Sequence, residues 1–166
     1  MKEYICHYDS PLGGITLASD GKALSGLWFD GQKYYAQTLD PDHEEKDPDI
    51  FDMAKEWLDI YFSGNDPGFT PPLLLKTTPF RKRVCEIMLQ IPYGSVMTYG
   101  EIAAVIAKER NVPHMSAQAV GSAVGHNPVS LIIPCHRVIG ADGSLTGYAS
   151  GVEKKLALLK MEKAVL

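Results

Sequence analysis

Cysteine is scarce in this sequence of 166 residues: Cys6, Cys85 and Cys135 are the three, and their spacing shows no pairing. That argues against a disulfide framework and for a reducing compartment. There is no C-x-x-C and no H-E-x-x-H, and Cys6 beside His7 cannot fill a tetrahedral site alone, so no metal and no cofactor is expected. No apolar run reaches membrane-spanning length, and the stretch MKEYICHYDS lacks a signal-peptide core. The expectation is a soluble, cytoplasmic chain that makes no membrane contact. Repeats and low-complexity tracts are also missing. Apolar residues are plentiful at 45%, enough for a real core, and the length allows one domain or two small ones.

Positive charge is short in the first half of the chain. Residues 1–73 hold five Lys+Arg against fourteen Asp+Glu, a net of −9, whereas residues 74–166 hold eleven against six, a net of +5. The overall charge of −4 therefore hides a second half that can attract a polyanion such as DNA.

The first half reads as strands. YICHY, GITLAS and ALSGLWF, joined by the turns DSPLGG and SDGK, form a β-meander over residues 4–29. DPDHEEKDPD reads as a solvated acidic loop. DIFDMAKEWLDIYF is an amphipathic helix with Ile50, Met53, Ala54, Trp57, Leu58 and Tyr61 on its apolar face, stopped by Gly64. NDPGFTPPLLL is a linker, with the domain boundary placed near residue 74: 1–73 is a strand-rich domain, 74–166 a second domain.

The second half is mostly helical. TPFRKRVCEIMLQI has Thr78 as N-cap, Pro79 at its first position, a core stripe of Phe80, Val84, Ile87 and Met88 or Leu89, and Cys85 as a packing residue. TYGEIAAVIAKERN opens with Thr98 and Glu101 at capping-box spacing. SAQAVGSAVGHN, capped by Ser116, is a helix with almost no side-chain bulk. Helix, short turn and small-residue helix read either as a helix-turn-helix or as two closely packed core helices. A bare helix also lets backbone amides and short side chains such as those of Ser116 and Ala119 approach the phosphates of a DNA groove. SLII reads as a buried strand, and VEKKLALLKMEKAVL as a closing helix with Leu156, Leu159 and Val152 toward the core.

The chemistry concentrates in NPVSLIIPCHRV, residues 127–138. A free thiol is only a few per cent ionised at neutral pH, and burial behind SLII makes ionisation harder. A reactive Cys135 needs a base, and the base needs an orienting partner. His136 is the adjacent candidate. Neighbours on a strand point to opposite faces, so contact requires a bend at Pro134 or a bridging water. Glu162 or Glu153 could orient the imidazole. The bland alternative is a core cysteine beside two polar neighbours.

IPCHRV, preceded by AVGSAVGHNP and followed by GSLTGYASG, resembles the 6-O-alkylguanine-DNA alkyltransferase family, and the likeness runs from TPFRKRV through IPYGSVMTYGEIA to LLKME. The resemblance implies an α+β protein: a small N-terminal RNase H-like sheet domain, then a mainly helical C-terminal domain with a helix-turn-helix. It implies Cys135 as alkyl acceptor, His136 as its base through a water, and Glu162 as the residue orienting His136. Tyr99 would crowd a phosphate, help rotate the damaged nucleotide out and donate a proton to the departing guanine. Asn127 would be a hinge, Arg137 a structural anchor and Tyr148 a wall of the base pocket. The carbonyls of Cys135 and Val138 would read the guanine edge. The implied partner is duplex DNA with an alkylated guanine, entered from the minor groove without sequence preference by a monomer.

Two positions depart from the family pattern. Gln118 stands where many members carry an arginine that fills the space of the extruded base. Ala149 stands where a serine hydroxyl often meets the substrate oxygen, leaving only its backbone N–H. Three other readings compete. One is a damage sensor that binds the lesion without repairing it; such proteins replace the cysteine, which is present here. One is a cysteine hydrolase using Cys135, His136 and Glu162, against which no Gly-rich oxyanion elbow precedes Cys135. The last is a transcription regulator using the helix-turn-helix alone, without a visible dimerisation element.

Overall fold

The computed structural model describes residues 2–145 and 148–164, so Thr146 and Gly147 of the GSLTGYASG loop lie outside it. The chain divides into two compact units: Met1–Thr77 with Pro128–Ile132, and Thr78–Asn127 with Ile133–Leu166. The proline-rich stretch around residue 74 thus leads into the division at Thr77, and a short later segment belongs to the first unit.

In the first unit, β1 (Glu3–Ser10), β2 (Gly13–Ser19) and β3 (Leu24–Phe29) form the expected antiparallel meander. Its inner face buries Ile15, Leu17, Leu24, Leu27 and Phe29 completely or nearly so. The acidic segment expected to be a loop contributes β4 (His43–Glu45), parallel to β1 from Glu3 to Ile5, giving the order β3-β2-β1-β4. Strand pairing needs backbone only, so an acidic composition does not forbid a short edge strand. Helix α1 (Asp49–Phe62) buries Ile50, Phe51, Ala54, Trp57, Leu58 and Tyr61. Met53, expected on that face, is 41% exposed; Phe51 takes its place.

The outer edge of β3 is covered by two pieces of irregular chain. Leu24 pairs with Leu73, and Leu27 with Val129. The Leu27 N–H reaches the Pro128 carbonyl at 2.9 Å and the Ser130 N–H returns to Leu27 at 3.0 Å. This corrects the reading of SLII as a strand. Only Val129 makes a bridge; Ser130, Leu131 and Ile132 turn, with Leu131 at φ 70°. The run is apolar because the turn is buried, and burial alone cannot distinguish a strand from a covered turn.

Glu3, almost wholly buried, joins β1 to three other segments. It accepts from the Ser25 hydroxyl, the Lys76 ammonium and the Asp40 N–H. Burial works to raise its pKa, but these donors outweigh it and hold the carboxyl below its ordinary value.

The second unit contains α2 (Pro79–Met88), β5 (Met97–Thr98), α3 (Tyr99–Glu109), α4 (Ala117–Gly125), a 3₁₀ turn (Cys135–Arg137), β6 (Val138–Ile139) and α5 (Val152–Met161). The three caps read from sequence form. Thr78 accepts from the Arg81 N–H and Ser116 from the Ala119 N–H, both at 3.2 Å. Thr98 and Glu101 make both bonds of the capping box at 3.0 Å. On α2, Val84, Cys85, Ile87 and Met88 are buried, while Phe80 lies under the Arg110 guanidinium at 5.3 Å. On α5, Leu159 is buried as expected, but Val152 is 47% exposed and Leu156 only half-buried; Lys155 and Leu158 face inward instead. Among the described residues no helix is long and apolar enough to cross a membrane.

Gly26 in β3 has a steric reason. Its neighbour two residues on, Trp28, points to the same face and folds its indole back over the Gly26 Cα, so a Cβ there would overlap the ring. Gly26→Ala is expected to destabilise the first unit by about 1–3 kcal/mol through overpacking, read as a lower denaturant midpoint with Trp28 fluorescence shifted.

Candidate active site

Cys135 opens the 3₁₀ turn, its N–H bonded to the Ile133 carbonyl at 2.8 Å, and it is 5% exposed. The turn supplies the bend that a strand would have lacked. It brings His136 inward rather than to the opposite face, and His136 has no exposed surface.

The imidazole Nε2 meets Glu162 Oε2 at 2.6 Å. Glu162, not Glu153, is therefore the carboxylate that meets His136; Glu153 lies on the exposed side of α5. Glu162 caps the C-terminus of α5 and collects further donors. Arg137 Nε reaches Oε1 at 2.8 Å and its Nη2 reaches Oε2 at 3.2 Å, while the Gly94 N–H reaches Oε1 at 3.2 Å. Arg137 also donates from Nη1 to the Ile91 carbonyl at 2.7 Å and sits 5.6 Å from the centre of the Tyr93 ring. Among the described residues its donors go to the protein acceptors Glu162 and Ile91.

The electrostatics follow from burial and from that arginine. Desolvation would raise the Glu162 pKa, but the His136 and Arg137 hydrogen bonds and charges bring it down to about 2. His136 is lowered, first by burial and then by the Arg137 and Lys155 charges, against the pull of Glu162. We read a neutral imidazole donating from Nε2 to a permanent carboxylate. Nδ1 is then the ring nitrogen available to a proton coming from the sulfur side.

Tyr99 is brought to the same place by a two-residue parallel pairing. Met97 and Thr98 of β5 pair with Val138 and Ile139 of β6, so the start of α3 lies beside the end of the Cys135 turn. Burial, then the Cys135 charge, raises the Tyr99 hydroxyl above 10.0. Tyr148 is 9% exposed, and burial followed by the charge of Cys135 and a hydrogen bond to it pushes its hydroxyl well above 10.0. Both phenols therefore stay protonated beside the sulfur. Ala149 follows Tyr148 and is half-buried. Val138 gives its N–H to the Cys135 carbonyl, which keeps a second lone pair for another donor.

Asn127 is 5% exposed and donates from Nδ2 to the Ile133 carbonyl at 2.8 Å. Residues 127 and 133 are the two ends of the second unit's chain on either side of the 128–132 segment. The asparagine closes that gap and fixes the approach to Cys135. Along α4, Val120, Ala123 and Val124 are buried, while Ser116 and Gln118 are exposed and Ala119 is half-buried. A Cβ on Gly121 would touch the Tyr99 ring at 3.9 Å. The small-residue helix thus packs closely on one side and presents short residues on the other.

Three features escaped sequence reasoning. Cys85 is buried near enough to feel the Cys135 charge; burial first, then that charge, pushes its thiol up to about 12, so it stays inert. The Gly94 N–H belongs to a turn with no chemical signature. Lys155 is a charged residue at a core position of α5, which periodicity could have flagged. Among the described residues no group of three or more His, Cys, Asp or Glu is placed to hold a metal ion.

Comparison with known proteins accords with this geometry. A family described as 6-O-methylguanine DNA methyltransferase matches twice: its DNA binding domain over residues 79–164 and its ribonuclease-like domain over residues 4–75. A Mycobacterium tuberculosis protein named methylated-DNA–protein-cysteine methyltransferase is 44% identical over 163 residues, covering 95% of this chain and 93% of that one. A Methanosarcina acetivorans protein of the same name is 40% identical over 159 residues, covering 96% and 97%. The crystal structure of Mycobacterium tuberculosis OGT in complex with DNA superposes with a TM-score of 0.82 at 42% identity, covering 98% of this chain and 93% of that chain. On both domain matches and on identity over nearly its whole length, the chain belongs to the 6-O-methylguanine DNA methyltransferase family.

Proposed function

We propose that this protein repairs DNA by direct damage reversal, moving a methyl or larger alkyl group from oxygen 6 of a guanine to its own Cys135. The observation that carries the reading is the turn itself: a nearly buried thiol followed by a fully buried imidazole bonded at 2.6 Å to Glu162. The carbon on the guanine oxygen is sp³, so a thiolate displaces it in one in-line step. The S–C bond forms, the C–O bond breaks, and the electron pair leaves on the guanine. The thiol proton passes through a water to His136, whose imidazolium Glu162 stabilises, and the Tyr99 hydroxyl supplies the proton that the guanine takes. The imidazolium then gives its proton up to solvent and the Tyr99 phenolate takes one back, so the one proton lost by sulfur balances the one gained by the guanine. The product is a thioether, which nothing in the site can cleave, so each molecule acts once.

The target oxygen is stacked within a duplex, and the base must be extruded at a cost of a few kcal/mol. We assign that step to α3 and α4. The exposed Ser116 and Gln118, with Ala119 beside them, let the α4 backbone approach phosphates from the minor groove, where readout is degenerate and damage can be sought in any sequence. The net charge of +5 on residues 74–166 supports this docking. Tyr99 crowds the phosphate, Tyr148 walls the base pocket, the carbonyls of Cys135 and Val138 accept from the guanine edge, and the Ala149 N–H faces the substrate oxygen. The protein acts as a monomer. The thiol must be reduced to react, which suits the cytoplasm.

Intact-protein mass spectrometry after mixing with duplex DNA carrying one methylated guanine should show a stoichiometric, permanent gain of one CH₂ on Cys135. Binding without mass gain would instead mark a sensor, and turnover a hydrolase. Cys135→Ala should abolish transfer and spare DNA affinity. Gln118 brings no charge to the duplex, so Gln118→Arg should tighten binding and steepen its salt dependence by up to about one unit of log–log slope; an unchanged titration would remove Gln118 from the interface.

The depressed Glu162 pKa sets an acid limit. Its carboxylate contributes stability that is complete above the ordinary value of 4.5 and is lost as pH falls toward about 2. That shift corresponds to about 3 kcal/mol. His136, also depressed, adds a loss beginning below 6.5. Glu162→Gln should therefore lower stability by about 3 kcal/mol at neutral pH, with the deficit shrinking below pH 4.5, as followed by urea unfolding across the pH range.

A further inference from the structure

A groove of about 420 Å³ opens in the second unit, lined by residues of α2, of the 90–97 segment and of α3. Its volume suits a ligand of one or two rings. The floor is apolar: Ile87 and Ile91 are nearly buried, and Met97 and Val105 are half-buried beside them. Two lining residues carry charge, Arg83 and Glu101, and they differ in what they have left to offer. Arg83 donates from Nε to Glu109 Oε1 at 2.9 Å, from Nη2 to Glu109 Oε2, and from Nη1 to Glu86 Oε1 at 3.5 Å. Its charge is met by two carboxylates. Glu101 is exposed and accepts on Oε1 from the Thr98 N–H at 3.0 Å; among the described residues its Oε2 has no partner.

We propose that this groove is a regulatory ligand site: it takes a small aromatic amine, ring on the apolar floor and ammonium against Glu101 Oε2, and its occupancy is felt at Cys135. The charge balance selects the class. A carboxylate or phosphate would meet Glu101 with the Arg83 guanidinium already occupied, whereas an ammonium supplies the donor that Oε2 lacks. The apolar floor supplies most of the affinity, because an exposed ion pair adds little.

The path from groove to active site is short, and three lining residues carry it. The Ile91 carbonyl accepts from Arg137 Nη1 at 2.7 Å, and Arg137 shares Glu162 with His136. Met97 pairs with Val138, which directly follows the Cys135 turn. Glu101 closes the capping box on Thr98, next to Tyr99. A ligand filling the groove braces all three. Cys135 is nearly buried, so a reagent reaches its sulfur through local opening, and bracing makes that opening rarer. The regulatory consequence rests on Cys135 being the alkyl acceptor; the binding does not.

The test titrates methyl-labelled protein with benzylamine, and with benzyl alcohol and phenylacetate as its uncharged and anionic counterparts, followed by NMR at neutral pH. Benzylamine should give saturable shifts at the Ile87, Met97 and Val105 methyls, binding more tightly than the alcohol, with phenylacetate weakest. Glu101→Gln should weaken benzylamine by about threefold, to the level of the alcohol. Glutamine serves at this capping-box position, so the variant keeps its helix start. With the groove saturated, iodoacetamide modification of Cys135, located by peptide mapping, should slow at least twofold; the protonated amine does not consume the reagent. Absence of saturable shifts at those methyls, equal binding of the three compounds, an unchanged affinity in Glu101→Gln, or an unchanged rate at Cys135 overturns the proposal. None of these measurements contains DNA. Failure of the chain without amine to take a methyl from duplex would sink the repair reading instead.

Discussion

A buried carboxylate has to be paid for with donors, and those of Glu162 include His136 Nε2, Arg137 Nε and Nη2, and the Gly94 N–H. They come from two separate segments, and the carboxylate itself ends a third. Arg137 supplies the permanent positive charge. That frees His136 to remain neutral, as its complete burial favours. The turn holding Cys135 is thereby pinned at both of its later residues, and the sulfur inherits its position. Removing either charged member would leave the other buried and unpaired, which is why such clusters behave as one unit.

Short-range devices finish what that cluster begins. The two-residue pairing of β5 with β6 sets Tyr99 next to the Cys135 turn. Asn127 ties its own segment to Ile133 across a gap in the second unit's chain. The α4 helix comes near Tyr99 at Gly121, where an added Cβ would lie in van der Waals contact with the ring. None of these contacts buries much area. Their effect is geometric: they hold Cys135, Tyr99 and His136 close together, the arrangement that the proposed displacement step would use.

Much of this was legible along the chain. Strands β1 to β3, helix α1 and the caps at Thr78, Thr98 and Ser116 are written in alternation, helical spacing and capping residues, all local signals. The errors were local signals standing in for tertiary facts. SLII is apolar because it is a buried turn, not because it is a strand. Met53 and Val152 fit a helical stripe but lie outside the face that packs. β4 hides in an acidic segment because an edge strand needs only its backbone.

The sequence by itself determined the inventory of the site: a thiol, an imidazole and a guanidinium in succession, a tyrosine at a capped helix start, and a helix of small residues with charge distributed in its favour. It left open whether Glu162 or Glu153 would face His136, and helical spacing could set Lys155 at a core position without showing that it would lie without solvent beside Tyr99. Only the packing of α5 against the Cys135 turn decided both. The physical reason is that the roll of a helix sets which of its charged residues loses water, and that roll depends on contacts with partners more than twenty residues away in the chain.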